Sequence, residues 1–244
     1  MGTNLKLEKT LYQKGYLYFI VLFMFMIWGF WFTYFSKLGE QGNYRLHFHG
    51  ITLISWCLML IVQPWLIRSK KVALHKKVGL ISYLLVPLLL FSTTDLLKFR
   101  LSGVKQMSPY LNFATALVLN ALLVFVILYA LAIYHKNKGT IHARYMLCTV
   151  FPMIPPITDR IIASNFPSLL KYLPTLEGYP LVPIYSFAIV DILLLFLCIW
   201  DFKSHKRWNV FPFVLLLSVG YQFSVLNFYK FAFWATFGDW FLAL

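Results

Sequence analysis

The chain has 244 residues, of which 60% are hydrophobic and 12% charged, and its mean hydropathy is +0.72. A soluble domain carries about 25% charged residues, and one of this size has no interior large enough to hide so much apolar surface. The composition therefore excludes an ordinary soluble protein and points to a bilayer. The net charge of +14 does not imply nucleic acid, because the basic residues fall in short clusters between apolar runs, the pattern left by membrane insertion.

The first fifteen residues are polar and basic, and an apolar run begins near Tyr16. No small-residue cleavage site follows, which predicts a retained first helix rather than a signal peptide. Further apolar runs give expected spans at about 16–35, 49–67, 78–97, 109–134, 143–163, 181–201 and 209–230, each close to the roughly 20 residues a crossing requires. No repeat, low-complexity tract or soluble domain interrupts them. The expected fold is an all-α, polytopic membrane helical bundle of about seven transmembrane helices, a single integral membrane domain over 1–244.

Fourteen of the 22 Lys and Arg residues fall on the side of the N-terminus and eight on the other. The richer side is expected to be cytoplasmic, which places the N-terminus inside and the C-terminus outside.

In chain order, the first polar features are His47 and His49, at the outer start of the second span. They are two residues apart, so on a helix they point about 200° from each other, and one helix cannot aim both at a single metal. His75 lies at the inner start of the third span and His142 at the inner start of the fifth. Both stand among cations: Lys76 and Lys77 follow His75, and Arg144 follows His142. Three readings suit such histidines: ligands to haem or a metal, partners for an anionic headgroup or phosphate, or loop residues beside snorkelling lysines. Asp95 closes the third span on the outer side.

The fifth span, "HARYMLCTVFPMIPPITDRIIA", carries Pro152, Pro155 and Pro156 at its middle. Each removes a backbone donor, so a break or strong kink is expected. At membrane depth, irregular backbone is tolerated only against protein or a wet cavity, so this segment is expected to line a site. Asp159 and Arg160 end it on the outer side. Together with His47, His49 and Asp95 they form a candidate outer polar cluster, for which an ion pair of Asp95 or Asp159 with Arg160 is the plain structural explanation.

Asp191 sits near the middle of the sixth span. An Asp there disfavours insertion by about 2.5–3.5 kcal/mol. It is a candidate proton relay, substrate contact or partner to a histidine; the structural alternative is a protonated Asp bonded to a neighbouring helix. Gln63, Gln222 and Asn227 are candidate interhelical hydrogen-bonding groups. Cys57, Cys148 and Cys198 each lie in an apolar run with no CxxC pair, and are read as packed small residues. No GxSxG elbow, Walker loop or HExxH motif is present.

"HG" at 49–50, Gln63, Arg68, "LHKKVG" at 74–79, "HARYM" at 142–146 and "DR" at 159–160 resemble a bacterial group of multi-helix membrane proteins of unknown function. Its members read a His near a helix start, then Q, LHRxLG, HRxWM and a later Arg. The resemblance covers about 47–160, with Lys76 where Arg is usual and Tyr145 where Trp is usual. It implies that the histidines are deliberate features and implies no activity. A weaker similarity is to transmembrane b-type cytochromes, which carry histidines near helix ends.

Three functions follow as expectations. The first is a redox protein in which His75 and His142 bind haem b or a metal ion near the cytoplasmic face and Asp191 moves protons or tunes the site. The second is a proton-coupled transporter of a small solute or lipid, built on the broken fifth span and Asp191. The third is an integral-membrane enzyme acting on an isoprenoid or lipid. The expected setting is the bacterial cytoplasmic (inner) membrane, with the lipid bilayer as partner and no nucleic acid.

Overall fold

A computed structural model describes residues 7–243. Among the described residues ten α-helices run in order: α1 Leu7–Gly29, α2 Tyr44–Arg68, α3 Val72–Gly79, α4 Ser82–Arg100, α5 Pro109–Tyr134, α6 Gly139–Cys148, α7 Ile154–Asn165, α8 Pro183–His205, α9 Phe211–Asn227 and α10 Ala232–Ala243. Taking α3 with α4, α6 with α7, and α9 with the turn after it, seven helical segments are long and apolar enough to cross a membrane. The protein is an all-α polytopic bundle, as its composition predicts. The observed segments begin and end within several residues of the expected spans, except that α1 starts nine residues earlier, at Leu7 rather than Tyr16.

Packing divides the chain into two units: Met1–Leu96 with Ile199–Trp208, and Leu97–Cys198 with Asn209–Leu244. In the first unit, α1 lies along α2. Tyr12 donates to the carbonyl of Ile67, and Arg68 donates to the Tyr16 hydroxyl. The start of α1 also meets the end of α8. The Leu7 amide donates to Ser204, Arg207 pairs with Glu8, and His205 lies between Asp201 (3.3 Å) and Glu8 (3.5 Å). Near the opposite end of α2, Thr52 and Ser92 join α2 to α4 through a 2.9 Å hydroxyl contact, and Arg45 pairs with Asp95 at 3.1 Å. The core of this unit holds Trp56, Leu60, Leu66 and Leu89.

The second unit is built around α5. Ser108 caps α5 by accepting from the Leu111 amide, and its hydroxyl donates to Glu177 at 2.7 Å. Glu177 reaches there from a two-stranded hairpin, Thr175–Leu176 with Tyr179–Pro180, and also accepts from the Tyr110 amide. An acidic group beside the free amides of a helix start is the favourable arrangement. Helix α9 joins α5 through Tyr221 to the Leu117 carbonyl and through Asn120 to Ser224. The core here is apolar, with Leu128, Ala132, Leu194, Phe211, Val214 and Val225 essentially sealed from solvent.

Helix α10 is not among the expected spans. Its 12 residues extend about 18 Å, too short for a hydrocarbon core of about 30 Å. One face docks onto its own unit: Trp234 donates to the Asn112 carbonyl, and Phe241 packs with Leu97, Leu101 and Met107. Lys98 donates to the carbonyls of Phe241 and Leu242, placing a cation where the helix ends in unpaired acceptors.

The expected proline break in the fifth span is present in a mild form. Helix α6 stops at Cys148, a narrower 3-10 turn runs over Phe151–Met153, and α7 begins at Ile154. Pro152 and Pro155 both sit in the first turn of the segment they open, where a missing amide leaves no helical bond unmade.

Gly50 lies nearly two turns into α2, directly under the ring of Tyr34. A Cβ there would stand 2.8 Å from the Tyr34 ring and hydroxyl oxygen. Gly→Ala inside a helix ordinarily stabilises by about 1 kcal/mol. Here the overlap with a buried ring outweighs that gain, and Gly50→Ala is expected to destabilise by about 1–2 kcal/mol. The measurement is thermal unfolding in detergent, and a raised unfolding temperature would contradict this packing.

Candidate functional site

Asp191 lies midway along α8, in the second unit. Gln222 of α9 donates its Nε2 to Asp191 Oδ1 at 2.7 Å and to Ser218 Oγ at 3.2 Å. Ser218 and Gln222 are four apart, so they share one face of α9. Both donors of the carboxamide are thus engaged, and Asp191 is held by a neutral group. No Lys, Arg or His among the described residues forms an ion pair with it.

The same face of α9 borders a small internal cavity of about 10 Å³, lined among others by Pro152, Pro155, Phe187, Val190, Ser218 and Tyr221. That is room for the centre of a single water. Pro152 and Pro155 offer no amide to the carbonyls of Cys148 and Phe151 in the helical pattern; the Ile154 amide turns back to Phe151 instead. Pro152 and Pro155 of the proline-rich segment are thus two of the walls of this cavity. Ser218 is both a wall of that cavity and a partner of Gln222, so a polar connection runs from the cavity through Ser218 and Gln222 to Asp191.

Asp159 and Arg160 lie in the same unit, on α7. Thr158 donates to Ser186 at 2.7 Å, and the buried Ser186 donates in turn to Asp159. Arg160 Nη1 donates to the Pro156 carbonyl at 2.7 Å. Asp95, in the first unit, pairs with Arg45. Of the candidate outer cluster, His47, His49 and Asp95 belong to the first unit and Asp159 and Arg160 to the second.

Each candidate histidine has a nitrogen whose role its neighbours fix. His47 Nε2 donates to the Gln41 carbonyl at 2.6 Å, so Nδ1 carries the lone pair that accepts from Tyr34 at 3.2 Å. Burial raises the Tyr34 phenol above its usual pKa, which keeps that proton in place. His47 is thus a clamp between α2 and the segment before it. His49 Nδ1 faces Thr93 Oγ1 at 3.3 Å and Ser92 Oγ at 3.4 Å. Both hydroxyls donate to the Leu89 carbonyl, so His49 Nδ1 is the donor.

His75 lies beside Gln63 of α2, which is 14 residues and about 21 Å along the helix from His49. The Gln63 oxygen accepts from the Gly79 amide at 2.9 Å, which turns its NH₂ toward His75 Nδ1. His75 therefore accepts at Nδ1 and carries its proton on Nε2. His142 has the opposite tautomer, with Nδ1 donating to the Ala132 carbonyl at 2.8 Å and the lone pair on Nε2. A histidine ligating through Nε2 needs that second arrangement. His75 belongs to the first unit and His142 to the second. Among the described residues, no group of three or more His, Cys, Asp or Glu side chains converges as a metal site would.

The partners that sequence reasoning did not single out are Tyr34, Arg45, Ser186, Ser218 and Tyr221. Only Arg45 carried a signal, a cation at the same expected membrane face as Asp95. The hydroxyls carried none, since Ser and Tyr are ordinary in spans.

Histidine-selective nitrogen NMR tests the tautomers. The neutral rings are expected to carry the proton on Nδ1 for His142 and on Nε2 for His47 and His75; an Nδ1 proton on His75 would contradict the Gln63 orientation. No protein-family model, curated protein or solved structure matches this chain.

Proposed function

We propose that this chain is a proton-coupled carrier of a small solute or lipid in the bacterial cytoplasmic membrane, with Asp191 as the group that takes up and releases the proton. The observation that carries this reading is the bond from Gln222 to Asp191. A carboxylate in mid-membrane is normally neutralised or paired with a cation. Asp191 is met by a neutral amide, so its charge changes without breaking an ion pair. One carboxyl oxygen keeps the amide donor while the other accepts a proton. Ser218 then links that event to the cavity at the proline-rich turn, where a substrate-induced repacking of α7 against α9 would be felt.

The test is proton entry into proteoliposomes, read with an entrapped pH dye while amino acids, carboxylates, amines and isoprenoid lipids are added outside in turn. Wild type is expected to acidify the lumen with at least one addition. Asp191→Asn should abolish the response, and Asp191→Glu should retain part of it. Identical traces for wild type and Asp191→Asn under every addition would remove the reading.

A second reading rests on His142. Its Nδ1–H bond to the Ala132 carbonyl is the arrangement that prepares Nε2 for haem iron or another metal. The His75 ring, held at Nδ1 by Gln63, fits that role less well. This reading expects a Soret band in protein purified from haem-replete cells, lost in His142→Ala and kept in His75→Ala. Colourless, metal-free protein would exclude it.

A further inference from the structure

We propose that the Arg68–Lys77 segment is a binding site for anionic phospholipid headgroups in the leaflet facing that end of the first unit. Arg68, Lys70, Lys71, Lys76 and Lys77 fall within ten residues that contain no Asp or Glu, and all five are exposed. The carboxylates that the first unit brings to this end, Glu8 and Asp201, are already engaged by Arg207 and His205. The segment is thus a concentration of uncompensated positive charge.

Its depth is set by length and by its apolar neighbours. The α3–α4 segment runs 29 residues, Val72–Arg100, about nine more than a crossing requires, so α3 extends to headgroup level. Trp65, Val72, Leu74, Leu80 and Ile81 are exposed around it, from 43% to 62%. Two of the cations rest on aromatic faces: Arg68 over Tyr16 at 5.1 Å and Lys71 over Trp65 at 5.5 Å. Cations over rings at the interface, with apolar side chains beside them, match a lipid surface.

Insertion bias alone places lysines on this side, but it does not account for their backbone. Helix α2 ends in a tight reversal in which the Lys70 amide bonds the Ile67 carbonyl and the Lys71 amide bonds that of Leu66. The residue at its turning point takes a left-handed conformation that glycine adopts without penalty. Here it is Lys70, at φ 59°; near the end of α8 Lys206 is also left-handed, at φ 54°, with its amide bonded to the Phe202 carbonyl. Among the described residues, the third non-glycine in this conformation is Glu177, whose carboxylate holds the start of α5. Residues in this conformation cost free energy and cluster at functional sites. In Lys70 and Lys206 the side chain so placed is a cation beside a helix end.

The protein is reconstituted in nanodiscs of phosphatidylcholine alone or with added phosphatidylglycerol, and thermal unfolding is followed. A ligand that binds only the folded state raises the unfolding temperature. Wild type is expected to gain several degrees from phosphatidylglycerol, and to lose that gain at high salt. Replacing Lys70, Lys71, Lys76 and Lys77 together with Gln should abolish it. Lys70→Gly should unfold at a higher temperature than wild type in phosphatidylcholine, yet gain less from phosphatidylglycerol. Lys136→Gln with Lys138→Gln, two exposed cations elsewhere, should keep the full gain. No gain in wild type would overturn the proposal, as would an equal loss in the Lys136/Lys138 variant or an undiminished gain in Lys70→Gly. If the fourfold variant does not fold, Lys70→Gly against wild type decides.

Discussion

In the hydrocarbon core no water is available to satisfy a polar group, so every such group must find its partner inside the chain. That constraint explains features that look unrelated. It forces the crossings to be helical. It places Pro152 and Pro155 at the openings of new helical segments, where an absent amide costs nothing further. It supplies α10 with Trp234 bonded to Asn112 and with Lys98 at its last carbonyls. It also makes Ser, Thr and Tyr hydroxyls into connectors, as in Thr158–Ser186–Asp159 and Tyr221–Leu117.

The same constraint sorts charge by position along the spans. At helix ends, carboxylates meet cations: Arg45 with Asp95, and Arg207 with Glu8. Those pairs sit near water and contribute modestly to stability. In the middle of α8, Asp191 meets the Gln222 carboxamide instead. That partner is a neutral amide rather than a cation. The contrast between the ends and the middle is the observation on which the proposed coupling role of Asp191 rests.

The histidines divide in a comparable way. His47 is bonded at both nitrogens by Gln41 and Tyr34, Gln63 faces Nδ1 of His75, and His49 and His142 each donate from Nδ1. Gly50 and Gln63 both have packing or bonding tasks. Gly50 makes room for Tyr34, and Gln63 ties α2 to α3.

The sequence by itself determined the solvent, the helical class and the approximate position of seven crossings, because apolar run length answers directly to bilayer thickness. It also marked the proline turn and Asp191, since a proline or a carboxylate in such a run is rare enough to stand out. It did not reveal α10, whose 12 residues are too short to read as a crossing, or the hairpin that brings Glu177 to the start of α5. Only the tertiary structure decided which partner each polar group takes. Arg45 and Asp95 are 50 residues apart, and Asp191 and Gln222 are 31 apart. Such pairs depend on how helices rotate and pack against each other, which hydrophobic periodicity in an all-apolar helix does not encode. A histidine's tautomer is set by the last ångström of that packing, by whether a carbonyl or an amide NH₂ happens to face the ring.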